Sequence, residues 1–287
     1  MTQKVKYAYE PFAETTDYRT VNGEILGAWI RLIREKGVQG IDRLLDIATG
    51  VGTMVQLFLR YLPQGWKQPL VYCLDQSPEA LEQARAGLVP FLGKGPKLIH
   101  CSIEKVDLPE KSIDVAVWGN GVHYLSPESQ EEAFRRVQKI LKPEGWFLFN
   151  SAFAAESVPA ETGVFYRSQT RQAVGLLRDK GVVRAKEERA NASYLHPQSY
   201  YESLVTKAGF AVEEVRMVAA RLYLEAWQHI SSFHQYAAGL LRGYPIDLAI
   251  QALRDAVEPA LKEHGTKDEK GNLYVPRNWL AVAARKD

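Results

Sequence analysis

The segment that most constrains the fold spans residues 43–59, with the sequence RLLDIATGVGTMVQLFL. Its first residues surround Asp46 with leucine and isoleucine, a short apolar run that is typical of a buried parallel strand. Gly50 and Gly52 interrupt this run, and from Thr53 onwards apolar residues recur at helical spacing. The segment therefore predicts a strand, a glycine turn and a helix, with an acid at the carboxyl end of the strand.

The glycine turn is suited to holding a ligand. Glycines let the backbone approach a ligand with no Cβ in the way, and the helix that follows offers free N–H donors at its first turn. In an open α/β sheet the ligand lies in the crevice beyond the strand ends. Many folds use such a turn for structural reasons alone. Support for a bound cofactor must therefore come from other motifs in the chain.

Strands and helices alternate as far as about residue 150. Apolar runs predict further strands at 70–74, 97–101, 112–118 and 146–149. Helices are predicted to begin at Ser77-Pro78 and Ser126-Pro127, where the serine caps the helix and the proline fits its first turn. This alternation predicts an α/β protein with a doubly wound, mostly parallel sheet and right-handed crossovers.

The remaining segments are predicted to surround this core. Residues 1–40 read as an aromatic arm, which either packs on the body or folds over the site as a lid, and a helix capped by Asn22. The core would span 41–224 with an inserted segment at 151–195, followed by a helical cap insertion at 225–271 and a last core strand at 272–287. Breaks in the cap helices are expected around Gly243-Tyr244-Pro245 and at Pro259.

The composition of the chain limits the kinds of molecule that the protein is expected to bind. The 287 residues carry a net charge of +2 with no block of like charge, so no electrostatic footprint for nucleic acid is visible. Cys73 and Cys101 offer neither a convincing disulfide pair nor metal-ligand spacing, which favours a reducing compartment and no bound metal. The N-terminus lacks the apolar core of a secretory signal, and no apolar run is long enough to span a bilayer. We therefore expect a soluble cytoplasmic protein.

Five motifs in order resemble the class I S-adenosylmethionine-dependent methyltransferases that act on small molecules. LLDIATGVG at 44–52 resembles the acid-and-glycine loop of the family, and LDQSP at 74–78 resembles its second acidic motif. Residues 107–115, 141–145 and 208–210 resemble the approach to strand four and the turns before strands five and six. The resemblance covers roughly residues 40–224 plus the last strand. It implies a seven-stranded, Rossmann-like methyltransferase fold, S-adenosyl-L-methionine as cofactor, and methyl transfer.

The resemblance also implies a set of cofactor-binding residues. Asp75 would accept hydrogen bonds from both ribose hydroxyls, and Asp46 would reach the methionine amine directly or through water. Ser102 stands where the family usually has an acid near the adenine amine, and Glu104 is a possible substitute. The full set comprises Asp46, Ala48, Gly50, Gly52, Asp75, Gln76, Ser102, Ile103, Glu104, Asn120 and Tyr18. For the two aspartates, helix N-capping is the structural alternative.

A nicotinamide dinucleotide is the competing cofactor, because it also uses a glycine loop followed by an acid on the second strand. In that arrangement Gly50, Gly52 and Val55 would occupy the three glycine positions, and the third is not glycine. Asp46 would also repel a pyrophosphate. Both observations disfavour this alternative without removing it.

The loop after the fourth strand, GNGVHY at 119–124, is where such a fold presents its methyl group. It lacks both the Asn/Asp-Pro-Pro-aromatic clamp used on planar amines and the Pro-Cys nucleophile of cytosine methylation, which argues against nucleic-acid substrates. His123 is a candidate general base for a hydroxyl acceptor, because imidazole titrates near neutral pH. The alternative is a structural histidine at a strand–helix junction.

Aromatic side chains of the arm, this loop and the cap are predicted to form an apolar acceptor pocket. The expected acceptor contacts are Tyr9, Tyr124, Trp227 and His234. We therefore predict methyl transfer to a small aromatic or apolar metabolite, with oxygen slightly favoured as the acceptor atom. Methylation of nitrogen or carbon, a protein or RNA methyltransferase, and a cofactor-binding protein without catalysis remain open.

Overall fold

The structure is a computed structural model that describes residues 10–185 and 195–287. The strands are β1 (Arg43–Ile47), β2 (Leu70–Asp75), β3 (Lys97–His100), β4 (Ile113–Gly119), β5 (Leu141–Ser151), β6 (Phe210–Tyr223), β7 (Thr266–Lys267) and β8 (Leu273–Lys286). The helices are α1 (Glu10–Ala13), α2 (Thr16–Glu35), α3 (Thr53–Tyr61), α4 (Pro78–Leu92), α5 (Pro127–Ile140), α6 (Ala160–Asp179), α7 (Gln198–Lys207), α8 (Leu224–Ile230), α9 (His234–Leu240) and α10 (Ile246–His264). None of them is long and apolar enough to cross a membrane.

One sheet runs through the molecule in the order β3-β2-β1-β4-β5-β8-β6. Strands β1 to β5 are parallel, whereas β8 is antiparallel to both β5 and β6. The short strand β7 adds an eighth member by pairing with the start of β8. The predicted doubly wound α/β fold is confirmed. The strand order reverses between β1 and β4, and in open α/β sheets ligands bind beyond the carboxyl ends of the strands at such a point.

The central strands are apolar because helices cover both faces of the sheet. Leu44 and Val117 face one layer, which contains Trp29 and Phe58, whereas Leu45 and Phe147 face the other. All of these side chains are buried. Burial of this kind stabilises the fold by about 1.5–3 kcal/mol for each large apolar side chain. The packed layers hold the carboxyl ends of β1, β2 and β4 in fixed positions.

The first helices differ from the prediction. Thr15 caps α2 by accepting a hydrogen bond from the Tyr18 N–H at 3.3 Å, whereas Asn22 lies buried inside the helix and is not its cap. Phe12 and Tyr18 are also buried, so the described part of the predicted arm, residues 10–20, is helical and packed on the body. The apolar spacing of α2 begins earlier than expected because Tyr18 and Val21 belong to its buried face. The lid prediction for residues 1–9 lies outside the described residues.

The two insertions pack against each other to form the cap. Ala173 and Leu177 of α6 meet Ala237 of α9 and Leu253 of α10 in one apolar cluster. Helix α10 begins directly after Pro245, as predicted, but it continues through Pro259 instead of breaking there. Residues on both sides of this proline are buried in the cap and core, and that packing offsets the backbone hydrogen bond that proline cannot donate.

Candidate active site

A cavity of about 470 Å³ opens at the carboxyl ends of β1, β2 and β4. This volume falls within the range of small-molecule and cofactor sites. We call it the main cavity. The sequence-predicted residues that line it are Tyr18, Ala48, Gly50, Asp75, Gln76, Ser102, Ile103, Glu104, Asn120, Tyr124 and His234. The structure therefore brings most of the predicted site together at the point where the strand order reverses.

Asp75 ties the glycine turn to the end of β2. Its Oδ2 accepts a hydrogen bond from the Gly50 N–H and its Oδ1 accepts one from the Ser77 N–H, both at 2.9 Å. Ser77, not Asp75, is the N-cap of α4, because the Ser77 hydroxyl accepts from the Ala80 N–H. The helix-cap alternative for Asp75 is therefore excluded. Each carboxylate oxygen can accept a further bond, so Asp75 can still serve a ligand in the cavity.

Asp46 is a buried carboxylate with one oxygen unused, and, contrary to the prediction, it is not among the residues that line the main cavity, whereas its neighbours Ile47 and Ala48 are. Its Oδ2 accepts a hydrogen bond from the Thr49 hydroxyl, but its buried Oδ1 has no hydrogen-bond partner among the described residues. Burial raises the pKa of Asp46 to about 7, and repulsion from the neighbouring Asp75 acts in the same direction. Gly52 is the N-cap of α3, so Asp46 is not a helix cap either. An unsatisfied buried carboxylate is costly, and this one suits a cationic or donor partner.

The glycine turn itself has a left-handed backbone at three positions. Ala48 has φ 52°, Gly50 has φ 54° and Gly52 has φ 84°. For an alanine this conformation costs of the order of 1 kcal/mol or more.

Gly52 does not line the main cavity, contrary to the prediction. A Cβ at this position would lie 3.0 Å from Leu88 Cδ1 and 3.5 Å from Ala84 Cα. Glycine is needed here because α4 packs closely against the start of α3 and because φ is positive. The role expected of Gly52 in clearing room for the cofactor therefore falls to Gly50 alone.

Glu104 places an unused acceptor in the lining of the main cavity. Glu104 lies in the short helical turn Ile103–Lys105, and its buried Oε2 has no hydrogen-bond partner among the described residues. Ser102 lines the same region. The unpaired oxygens of Asp46 and Glu104 suit a ligand that offers one cationic amine and one neutral amine donor. S-adenosylmethionine has both groups, so the residues present fit that cofactor.

A chain of three buried asparagines fixes the loop after β4. The Asn120 N–H donates to Asn150 Oδ1 at 2.9 Å, and the Asn150 amide donates to Asn22 Oδ1 at 2.8 Å. The Asn22 amide in turn donates to the Tyr18 carbonyl at 2.8 Å. Asn120 has φ 47°, a conformation that asparagine tolerates better than most residues. Neither Asn22 nor Asn150 was predicted to belong to the site, because the hydrogen bonds join residues that are far apart in sequence.

His123 lines neither this cavity nor the second one described below, so its predicted role as general base is corrected. Its Nδ1 lies 3.4 Å from the Ser151 hydroxyl, and its ring stacks on Phe153 with a centroid distance of 3.9 Å. Burial, with a further contribution from the charge of Arg277, lowers the pKa of His123 to about 3. A group with this pKa is a weak base at neutral pH. The structural alternative for His123 is therefore favoured.

A second cavity of about 260 Å³ lies beside the main one. It is lined by Tyr124, Phe153, Val158, Tyr166, Leu195, Phe233, Gln235, Tyr236, Gly239, Leu240 and Arg277. Tyr124, Phe233 and Gln235 line both cavities. The two cavities therefore share a wall, formed by the loop after β4 and the start of the cap.

The remaining predicted acceptor contacts are Trp227 and Tyr9. Trp227 lines neither cavity, because α8 turns its ring into the core, where it packs on Phe165 and Tyr166 at centroid distances of 4.7 and 5.7 Å. The prediction that Trp227 contacts the acceptor is therefore wrong. Tyr9 lies outside the described residues. Within the described part of the chain, no three His, Cys, Asp or Glu side chains come together as a metal site.

Comparison with known proteins agrees with this architecture. Residues 45–149, from β1 to β5, match the family model of a methyltransferase domain. A Bacillus halodurans structure described as a methyltransferase is 16% identical with a TM-score of 0.53, covering 90% of this chain and 98% of that one. The YcgJ protein of Bacillus subtilis is 15% identical with a TM-score of 0.53, covering 92% and 98%.

A third solved structure with this fold is described as a cyclase and not as a methyltransferase. The [4+2]-cyclase SpnF is 15% identical with a TM-score of 0.51, and the match covers 91% of this chain and 81% of that one. No curated protein matches the sequence. Identities this low establish a shared fold, whereas the domain match at 45–149 identifies the kind of domain that the fold contains.

Proposed function

We propose, on the premise that this chain is a class I S-adenosylmethionine-dependent methyltransferase, that it methylates a small molecule held in the second cavity. The observation that carries the proposal is the wall shared by the two cavities, formed by Tyr124, Phe233 and Gln235. A molecule in the second cavity would lie next to the cofactor site. Transfer requires this proximity together with the exclusion of water.

The cofactor would supply an electrophilic methyl group carried on a sulfonium centre. Asp75 would accept hydrogen bonds from the ribose hydroxyls while it holds the Gly50 turn in place. Asp46 would receive the methionine amine, and Glu104 would receive the adenine amine in place of the usual acid at Ser102. Tyr18, Ala48, Gln76, Ile103 and Asn120 would complete the enclosure.

The second cavity suits a small aromatic or apolar metabolite. Phe153, Tyr166 and Tyr236 supply aromatic walls, and the volume of about 260 Å³ accommodates a compact molecule. The balanced charge of the chain and the missing planar-amine clamp disfavour nucleic acid. The chain's two cysteines are free thiols, which supports a reducing, cytoplasmic location.

Oxygen is the acceptor atom that we favour, and His234 replaces His123 as the candidate base. His234 is the first residue of α9 and lines the main cavity next to Phe233 and Gln235, which belong to the shared wall. It is exposed at the cavity mouth, where a proton can pass to solvent. A hydroxyl must lose its proton as the new carbon–oxygen bond forms, and the His234 imidazole offers a ring nitrogen that can accept it.

A labelling experiment tests the proposed function. The purified protein is incubated with methyl-labelled S-adenosylmethionine and, separately, with the low-molecular-weight, RNA and protein fractions of a cell extract. We expect label to enter the low-molecular-weight fraction alone, and the Asp75→Ala variant serves as the control for background. Label in RNA or protein would overturn the small-molecule assignment.

The two histidines form a matched pair for testing the base. For a hydroxyl acceptor, His234→Gln should lower kcat by about 10²–10⁴-fold. His123→Gln should change kcat by no more than a few-fold, because His123 reaches neither cavity. Cofactor affinity, measured by calorimetry, should stay near the wild-type value in both variants. A larger loss of kcat in His123→Gln than in His234→Gln would restore the original assignment.

A further inference from the structure

We propose that the methyl acceptor carries a carboxylate and that Arg277 binds it inside the second cavity. The inference rests on the proposed function and adds the chemical class of the acceptor. Arg277 belongs to β8 and is only 5% exposed. Among the described residues that line the second cavity, it is the one with a formal charge.

Within residues 10–185 and 195–287, the contacts of Arg277 leave most of its hydrogen-bonding capacity unused. Its Nη1 donates to the Tyr166 hydroxyl at 2.7 Å, and its Nη2 donates to the Ala152 carbonyl. The guanidinium also lies over the rings of Phe153 and Tyr166, at 5.6 and 5.7 Å from their centroids. A guanidinium has five N–H donors, so these two bonds leave three for another partner.

No negative charge within the described part of the chain balances Arg277. Arg221 and Arg285, by contrast, pair with Glu269 and Glu144 through salt bridges. The groups nearest Arg277 are neutral at pH 7, since burial raises the pKa of Tyr166 and of Tyr236 and keeps the pKa of His123 low. A buried guanidinium stays charged, and leaving it without a counter-ion is costly. The missing anion is therefore the feature that a ligand would supply.

A carboxylate matches this site better than a neutral polar group. The planar guanidinium fork binds carboxylates through two parallel hydrogen bonds, and Tyr166 fixes the orientation of that fork. The aromatic and aliphatic side chains around it would take the apolar body of the same molecule. Arg277 lines only the second cavity, so the carboxylate would sit away from the shared wall. A hydroxyl elsewhere on the molecule would then face the cofactor, and the carboxylate would remain unmethylated.

The test compares two probes of the same shape that differ in charge. para-Hydroxybenzoate and para-hydroxybenzamide are titrated by calorimetry into protein saturated with S-adenosylhomocysteine. We expect wild-type protein to bind the acid at least about tenfold more tightly than the amide, as a charged bidentate contact implies. Arg277→Gln should abolish this preference, and Arg277→Lys should keep only part of it because the fork is lost. Arg221→Gln, which removes an exposed arginine from the neighbouring strand, should behave like wild type.

The outcomes separate this inference from the proposed function. Three outcomes would overturn the carboxylate assignment. They are equal affinity of wild-type protein for acid and amide, no binding of either probe, and a preserved preference for the acid in Arg277→Gln. Binding of S-adenosylhomocysteine in the first stage of the same experiment tests the cofactor site independently. Should Arg277→Gln fail to fold, the wild-type preference for acid over amide and the reduced preference in Arg277→Lys decide the question.

Discussion

Replacing Asp46 by asparagine is expected to make the cofactor-free protein more stable at pH 8. Burial raises the pKa of Asp46 to about 7 in the folded state, from the ordinary aspartate value of 3.8. The cost of ionising it in the folded protein is therefore absent below about pH 4, grows as the pH rises, and is complete above about pH 7. Each pKa unit corresponds to about 1.4 kcal/mol of unfolding free energy. The variant does not gain all of this, because its buried amide also lacks a hydrogen-bond partner. We expect a net gain of about 2 kcal/mol.

Urea denaturation at pH 5 and pH 8 measures this effect. The free energy of unfolding of Asp46→Asn should exceed that of wild type at pH 8, and the difference should shrink at pH 5. Asp42→Asn is the matched control, because the Asp42 side chain is 85% exposed and its replacement should change stability by no more than about 0.5 kcal/mol. A variant less stable than wild type at pH 8 would mean that Asp46 is already compensated in the free protein.

The same substitution is expected to weaken cofactor binding, since a neutral amide cannot balance a cationic amine. The affinity of wild-type protein for S-adenosylmethionine should fall as the pH is lowered below about 7, because Asp46 takes up a proton there. The affinity of Asp46→Asn should not show this pH dependence. Calorimetry with S-adenosylmethionine at pH 6 and pH 8 measures both. Equal affinity of the two proteins at pH 8 would remove Asp46 from the cofactor site.

Asp75→Ala is expected to weaken S-adenosylmethionine binding by about tenfold or more. Charged hydrogen bonds contribute about 1.5–3 kcal/mol each, and Asp75 also anchors the Gly50 turn that lines the cavity. Ser77→Ala is the matched control, because it removes the cap of α4 while leaving the carboxylate in place. The control should lose about 1 kcal/mol of stability and keep its cofactor affinity. Unchanged affinity of Asp75→Ala, or binding of a nicotinamide dinucleotide, would contradict this cofactor assignment.

The half of the site built on β1, β2 and β4 was predictable from sequence for a physical reason. Each of its residues follows a buried apolar strand, and parallel strands bring their carboxyl ends to one edge of the sheet. The positions of Gly50, Asp75 and Asn120, at the ends of β1, β2 and β4, follow from local patterns of this kind. Gly52 shows the limit, because the need for glycine there comes from contact with Leu88 in a neighbouring helix.

The second cavity was not predictable in the same way. Arg277 and Tyr166 are 111 residues apart and meet only because the two insertions pack together beside β8. Sequence likewise cannot divide the aromatic residues of the cap between core and cavity, so Trp227 was assigned to the wrong group. His123 held a favourable position in the chain, but only the packing of Phe153 against its ring reveals that it is sequestered.

The asparagine chain has a consequence for how the site opens. Asn22, Asn120 and Asn150 bind α2, β5 and the loop after β4 into one rigid unit through buried hydrogen bonds. Swinging α2 outward would break these bonds and expose its apolar face, at a cost of about 1 kcal/mol or more for each bond. We expect substrate and product to pass instead where His234 and Gln235, which line the main cavity, are exposed at the start of α9. Helix α2 therefore forms a fixed wall of the site.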